Sequence, residues 1–308
     1  MAKQMSVYKP LHKKRGMSLN TRNTLIGLSF ILPNFIGFFL FIMLPVAFSF
    51  VLSFAKWDGY NEMEFAGLSN FTAIFGDRVF KAALSQTFIY VIFTVLFSFV
   101  FALGIAVALN KKLRGVNFFR SAVFFPYVAS VVAVAAVWNA MFMPIGGPVN
   151  TFLGAIGVQN LPGWFTSTDW ALVGVIIVSI WKNIGYFMII YLAALQDIPL
   201  SLYEASTVDG ASGIQKFRYI TFPMLTPAHF FVVMMLTINS FKVFDLIFAL
   251  TNGGPGTSTK VIANYIYDQS FISWNYGKSS AASMILFIIV CVITVVQFRF
   301  EKKFNDFM

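Results

Sequence analysis

Charge is scarce in this chain. Only 11% of its 308 residues are Asp, Glu, Lys or Arg, against roughly 25% in an ordinary soluble domain. Carboxylates are scarcer still, with 12 acidic residues facing 22 basic ones for a formal net charge of +10. There is one cysteine, Cys291, and there are two histidines, His12 and His229. A single cysteine excludes a disulfide scaffold. No His/Cys/carboxylate cluster has metal-ligand spacing, so neither a metal site nor an active site is expected in this polypeptide. The rest is apolar: 58% hydrophobic and 18% aromatic residues, Phe alone supplying 38, with mean hydropathy +0.76. That balance excludes a disordered chain and a water-soluble globule.

What is plentiful is uncharged length. Apolar runs cover 25–54, 87–110, 121–143, 170–195, 227–250 and 279–298. The fourth is interrupted only by Lys182, and the fifth holds His229, Lys242 and Asp245. A helix needs roughly 20 such residues to cross a bilayer core, so an all-α membrane protein of six transmembrane helices is expected. The first run has room for a tilt, an interfacial extension or a bend at Pro33 or Pro45. It exceeds the apolar part of a cleavable signal and no small-x-small site follows, so it is expected to be retained.

The orientation follows from Lys and Arg in the short loops. With the N-terminus in the cytoplasm, the inside segments hold Lys3, Lys9, Lys13, Lys14, Arg15 and Arg22, then Lys111, Lys112, Arg114 and Arg120. Lys216 and Arg218 follow in the next, and Arg299, Lys302 and Lys303 in the last. The outside segments hold only Lys56, Arg78, Lys81, Lys260 and Lys278. Both termini are therefore expected to be cytoplasmic: a basic tail over 1–24, a membrane domain over 25–298 and a short tail over 299–308. The positive charge is assigned to loops facing anionic lipid rather than to nucleic acid.

The loops differ in kind. Outside connections carry turn signals at Asp58-Gly59, Gly76-Asp77 and Asn252-Gly253-Gly254-Pro255-Gly256. Trp164 and Trp170 are expected in an aromatic belt. The inside connection over 196–226 reads as a compact helix-turn-helix. Ser201-x-x-Glu204 has the form of a capping box, and Gly210 stands where a short helix ends. Ile214, Phe217 and Ile220 recur at three-residue spacing. Pro223 and Pro227 mark the way into the fifth run, Pro227 within its first turn. Leu202, Tyr203, Ala205 and Ile214 could form an apolar docking face. The loop either grips a partner or merely joins two spans.

Here the residues resemble a known family. Glu204-Ala205-Ser206-x-x-Asp209-Gly210, then nine residues, then Ile220-x-Phe222-Pro223 is similar to the EAA loop of binding-protein-dependent ABC importer permeases. That family has Ala at the place of Ser206 and Leu at the place of Phe222. Leu195-Gln196-Asp197-Ile198-Pro199, Phe244-Asp245-Leu246-Ile247, the Gly-Gly-Pro-Gly stretch and Ala108-Leu109-Asn110-Lys111-Lys112 are similar to the sugar-type, maltose-like branch. The resemblance implies a type I ABC importer permease fold. It also implies a second permease subunit, two cytoplasmic ATPase subunits carrying ATP and Mg, an extracytoplasmic solute-binding protein, a sugar substrate and a prokaryotic plasma-membrane location. It places Glu204, Ala205, Ser206, Asp209, Gly210, Ile220 and Pro223 in an ATPase-coupling loop. Nothing in this chain supplies the ATPase. Gly277-Lys278-Ser279 lacks the earlier glycine of a phosphate loop, Ile272 standing there.

Ionisable groups inside spans are costly and point to function. Lys242 and Asp245, three apart, are expected to share a helix face, where they could pair, with Asn239 on the same side. Trp181 and Tyr186 offer faces for a sugar ring, and Asn183, Asn239, Lys242 and Asp245 offer hydrogen bonds to hydroxyls. These six are the candidate substrate path. Lys182 and Lys242 either join that path or hold helices together. His229 is expected at an interface. The alternative function is an ion-gradient-driven secondary transporter using Lys182, Lys242 and Asp245.

Overall fold

The computed structural model describes residues 19–111 and 114–305. The basic residues Lys3, Lys9, Lys13, Lys14 and Arg15, with Lys112, lie outside the described residues. The chain divides into two units, Met1–Ser49 and Phe50–Met308.

The first unit is helical. Helix α1 (Leu19–Phe38) carries Pro33 within it and passes through a π-helical turn (Phe39–Met43) into α2 (Leu44–Leu52). In that turn the Leu44 N–H donates to the Phe39 carbonyl, five residues back. Pro45 follows at once, with no N–H and a ring that crowds the carbonyl four residues earlier. The widened turn absorbs this, and Ile26–Leu52 remains one apolar helix of 27 residues.

The second unit opens with a hairpin of β1 (Ala55–Lys56) and β2 (Glu64–Phe65), paired antiparallel with Ala55 opposite Phe65. Then come α3 (Ser69–Gly76), α4 (Arg78–Leu109), α5 (Val116–Val128), α6 (Val131–Met141), α7 (Pro148–Ala155) and α8 (Ala171–Gln196). The expected helix-turn-helix follows as α9 (Leu200–Val208), α10 (Gly213–Lys216) and α11 (Phe222–Met224). The chain ends with α12 (Thr226–Phe241), α13 (Asp245–Thr251), α14 (Ile262–Tyr267) and α15 (Tyr276–Asn305).

Among the described residues, four helices are long and apolar enough to cross a membrane: Ile26–Leu52, Arg78–Leu109, Ala171–Gln196 and Tyr276–Glu301. Two further crossings exist only if bent pairs count as single spans. These are α5 with α6, bent by 101°, and Gly213–Met224 with α12, bent by 67°. The third apolar run is thus no continuous helix, because Ala129 and Ser130 are extended (ψ 146° and 131°). The fifth run is also interrupted: α12 ends at Phe241, and Phe244 (φ −136°, ψ −59°) precedes α13. Hydropathy misses the first break because the residues on each side are equally apolar, and at the second only Lys242 and Asp245 interrupt an otherwise apolar run.

Helix α4 carries fully buried small residues on one face, Ala83, Thr87, Thr94, Ser98, Ala102 and Ala106, at four-residue steps save one of seven. Small side chains let apolar helices approach closely when no hydrophobic force separates helix from lipid. The lower part of this stripe meets Phe187, Met188, Tyr191 and Leu195 of α8 and Val232 and Leu236 of α12 in one core cluster. Trp164 is 6% exposed and does not belong to an aromatic belt. It stacks on Phe142 at 4.2 Å and donates from Nε1 to Asn150 Oδ1 at 2.7 Å, closing the 144–164 loop on itself. Trp170 is exposed.

At the hairpin end, Gly277 stands in the first turn of α15 for a packing reason, since a Cβ there would lie 2.0 Å from the Ala55 carbonyl oxygen. Asp58 accepts the Tyr60 and Asn61 N–H groups, and the turn completes with Gly59 at φ +92°. Asp77 caps α4 by accepting the Val79 N–H. Its Oδ2 also accepts from Lys278 Nζ (2.7 Å) and Tyr265 Oη (2.8 Å), joining α4, α14 and α15. Burial works against its charge, but the bonds from Lys278, Tyr265 and Val79 outweigh it and hold the carboxyl below the usual value. A depressed folded pKa contributes stability that is present above the unfolded value, about 3.9, and is lost as pH falls through the folded one. Asp77→Asn is expected to lower the melting temperature of detergent-purified protein near pH 7, and by a margin that shrinks as the pH is brought below the unfolded value of about 3.9. Equal melting of variant and wild type near pH 7 would remove this role.

Candidate functional site

Two regions carry the expected site residues. The first is a polar cleft of about 190 Å³ between α8 and the α12–α13 break, bordered by α4 and α6. It brings together Asn183, Asn239, Lys242 and Asp245 from the candidate path, and adds Lys182. A larger groove of about 490 Å³ among α4, α12 and α15 is lined by hydrocarbon save Thr237 and Gln297, and carries no charged group.

The cleft differs from the expected path in three respects. Lys242 and Asp245 flank the break instead of sharing a helix face, and no ion pair joins them among the described residues. Both are exposed, and Asp245 stands in the first turn of α13, where a helix favours a carboxylate. Trp181 and Tyr186 are not in the cleft. Trp181 packs edge-on against Trp138 at 5.4 Å, and Tyr186 stacks parallel on Tyr127 at 4.5 Å. Tyr90 and Ser179 do line it, Tyr90 Oη donating to Ser179 Oγ at 2.8 Å. Sequence reasoning missed this pair, since Tyr and Ser within apolar helices are too ordinary to stand out.

Lys182 explains the broken third run. Where α5 stops, its last carbonyls lose their helical donors. The Lys182 ammonium reaches across from α8 and donates to the carbonyls of Pro126 (3.2 Å), Tyr127 (2.9 Å) and Ala129 (3.3 Å). An ammonium has three donors and no acceptor, and a cation suits the negative end of a helix. The reach depends on close packing one turn away, because a Cβ on Gly185 would lie 2.1 Å from the Val123 carbonyl oxygen. Arg120 does the same for α4, donating to the Leu109 carbonyl at 3.4 Å.

The second region is the elbow from α9 to α11. Ser201 and Glu204 form no capping box. Helix α9 begins at Leu200 with Pro199 as its cap, so Ser201 already lies inside the first turn. The box forms instead at Ser212 and Gln215, each accepting from the other's backbone N–H. Helix α9 stops by the Gly210 N–H donating to Thr207 and the Ala211 N–H to Ser206, with Gly210 at φ +76°. That is the paired closure a left-handed glycine permits.

Tyr203 turns inward rather than joining a docking face, its hydroxyl 2.9 Å from Thr221 Oγ1. Lys216 Nζ donates to Thr207 Oγ1 at 2.8 Å, tying the two limbs. Glu204, Ala205, Asp209 and Gly210 are exposed at the tip, while Ser206 is half-buried with its Oγ on the Tyr203 carbonyl. Ile220 and Pro223 stand at the root, Ile220 packed into the α4–α8 core. The apolar surface is carried by Leu200, Val208, Ile214 and Tyr219, 69–89% exposed.

Lys182→Met keeps the aliphatic stem and removes three bonds. It is expected to cost roughly 1–3 kcal/mol, read as a lowered melting temperature, with Lys182→Arg recovering most of it. A Met variant melting with wild type would mean the α5 carbonyls find other donors.

Comparison with known proteins fits this geometry. Residues 100–306 match the family described as binding-protein-dependent transport system inner membrane component. The probable starch degradation products transport system permease protein AmyD of Thermoanaerobacterium thermosulfurigenes is 33% identical over 275 residues, 89% of this chain and 93% of that protein. The lactose transport system permease protein LacF of Rhizobium radiobacter is 36% identical, covering 90% and 94%. A chain of a bacterial ABC transporter that imports the acidic polysaccharide alginate superposes with a TM-score of 0.81 at 25% identity, covering 92% of this chain and 97% of that one. The matched residues take in α8, the elbow and the α12–α13 side of the cleft, and this chain belongs to the family of binding-protein-dependent transport system inner membrane components, the permeases of ABC importers.

Proposed function

We propose that this chain is one of two transmembrane permease subunits of an ATP-driven carbohydrate importer. It forms half of the translocation path and couples it to separate cytoplasmic ATPase subunits, which hold ATP and Mg. The carrying observation is the elbow: a helical lever braced by its own hydrogen bonds, whose apolar side chains have nothing over them, Val208 and Ile214 being 89% and 81% exposed. In water such a surface calls for a partner. Glu204, Ala205, Ser206, Asp209 and Gly210 form its tip, Ile220 and Pro223 its root. With the elbow in the cytoplasm both termini lie there too, in a prokaryotic plasma membrane.

The substrate class rests on chemistry and relatives together. Asn183, Asn239, Lys242 and Asp245 provide donors and acceptors of both signs, as a polyhydroxy solute needs. The relatives are named for starch products, lactose and alginate, and a similar alginate transporter structure is described as a complex with a periplasmic protein holding an alginate pentasaccharide. The second permease is a paralogue that closes the other side of the cleft. An ion-gradient transporter is not favoured, since the Lys182 ammonium is committed to three backbone carbonyls.

Transport follows from differential affinity. ATP binding draws the ATPase subunits together, the elbows move with them, and the bundles rock so that the cleft faces outward. The loaded binding protein prefers that state and so shifts the population towards it. Reconstituted with its permease partner and ATPase in liposomes, the complex is expected to hydrolyse ATP faster with sugar-loaded binding protein and to accumulate the sugar. Gly210→Val places a β-branched residue at φ +76° and should lose that uptake. Uptake driven by an ion gradient without ATP would overturn the proposal.

A further inference from the structure

A lever transmits motion only if its joint is stiff. The joint between the elbow and α12 is depleted of backbone bonds. Pro223 and Pro227 have no N–H, a π-helical turn spans Phe217–Thr221, and the axis bends by 67° at Leu225. Left alone, such a joint would fold under load and absorb any displacement of the elbow. Side chains replace the missing backbone bonds. The Pro223 carbonyl accepts from Thr226 Oγ1 at 2.7 Å.

The second replacement is His229, on the first turns of α12. Its Nε2 lies 3.1 Å from the Phe222 carbonyl oxygen and its Nδ1 lies 3.0 Å from the Tyr191 hydroxyl. A carbonyl only accepts, so Nε2 carries the proton and donates. Nδ1 then accepts from Tyr191 Oη, which belongs to the fully buried core of α8. The imidazole is held between rings on three sides, with centroids 4.5 Å from Phe222, 5.3 Å from Phe99 of α4 and 5.4 Å from Tyr191. One side chain thus ties the elbow root to the two helices packed most closely in the core.

Two of the helices joined through His229, α8 and α12, also carry the cleft. Tyr191 shares α8 with Lys182 and Asn183, and His229 shares α12 with Asn239. Resting on the importer reading above, we infer that His229 is the positioning residue that makes the elbow and the cleft-bearing helices α8 and α12 move as one body. Its hydrogen bonds to Phe222 and Tyr191 convert ATPase closure into opening of the cleft. Without them the motion is spent in the bend at Leu225.

The test is the coupling ratio, sugar transported per ATP hydrolysed, measured on the whole reconstituted complex with loaded binding protein. His229→Phe keeps a ring among the three aromatics and deletes both bonds. It is expected to assemble, to keep hydrolysing ATP, and to lose roughly tenfold in coupling ratio. His229→Gln, whose amide nitrogen can still donate to the Phe222 carbonyl, should recover most of that. Tyr191→Phe should lose a few-fold, and the double variant H229F/Y191F should be no worse than H229F alone, as expected when both act through one link. A wild-type ratio in an assembled H229F complex overturns the inference. So does H229F failing to assemble while Y191F couples normally, which would make His229 a packing residue. A wild-type complex whose hydrolysis ignores loaded binding protein overturns the importer reading itself and the inference with it, whereas a coupled wild type beside a coupled H229F overturns the inference alone.

Discussion

A helix that stops within an apolar surround leaves carbonyl oxygens without donors, and no water is at hand to replace them. This chain stops helices inside two of its apolar runs. At the third run the Lys182 ammonium, delivered from α8, collects the carbonyls at the end of α5. At the root of the elbow, just ahead of the fifth run, the Thr226 hydroxyl and His229 imidazole take the carbonyls of Pro223 and Phe222. Proline is handled by the same accounting. Pro45 and Pro223 are both preceded by a π-helical turn, in which the bonds run five residues back instead of four.

The placement of these repairs decides what the molecule offers to a solute. Continuous helices would present smooth hydrocarbon to one another. The break after Phe241 instead leaves Lys242 and Asp245 uncovered, and the break at Ala129 draws Lys182 alongside them. A polar cleft therefore exists because two helices are interrupted at about the same level against α8. Its charges are unequal in role: one ammonium is consumed in holding the fold, while the other charged groups remain exposed for hydrogen bonding.

The elbow shows the opposite economy. Its backbone ends and hydroxyls are satisfied internally, through the capping box at Ser212, the closure at Gly210, and the Tyr203–Thr221 and Lys216–Thr207 contacts. Beside the charged tip residues Glu204 and Asp209, its surface carries Leu200, Val208, Ile214 and Tyr219. A segment that satisfies its own backbone yet leaves its hydrophobic side chains bare is shaped to be covered by something else, and family membership agrees with that reading.

The linear chain by itself determined the fold class, because charge-free runs of membrane length need no tertiary information to be recognised. It determined the family as well, since the glycine and acidic residues of the elbow keep their spacing through Gly210, whose left-handed φ is a local requirement. Four of the six candidate path residues, Asn183, Asn239, Lys242 and Asp245, line one cleft, and they stand out in the sequence as polar groups in apolar runs. Tertiary structure alone decided the rest. Trp181 and Tyr186 were drawn away by aromatic partners distant in sequence, and the Ser201 box yielded to one at Ser212. The two broken runs and the roles of Lys182 and His229 depend on which carbonyl lies near which donor. Periodicity along one helix cannot report that, because the donor comes from a different helix up to fifty-six residues away.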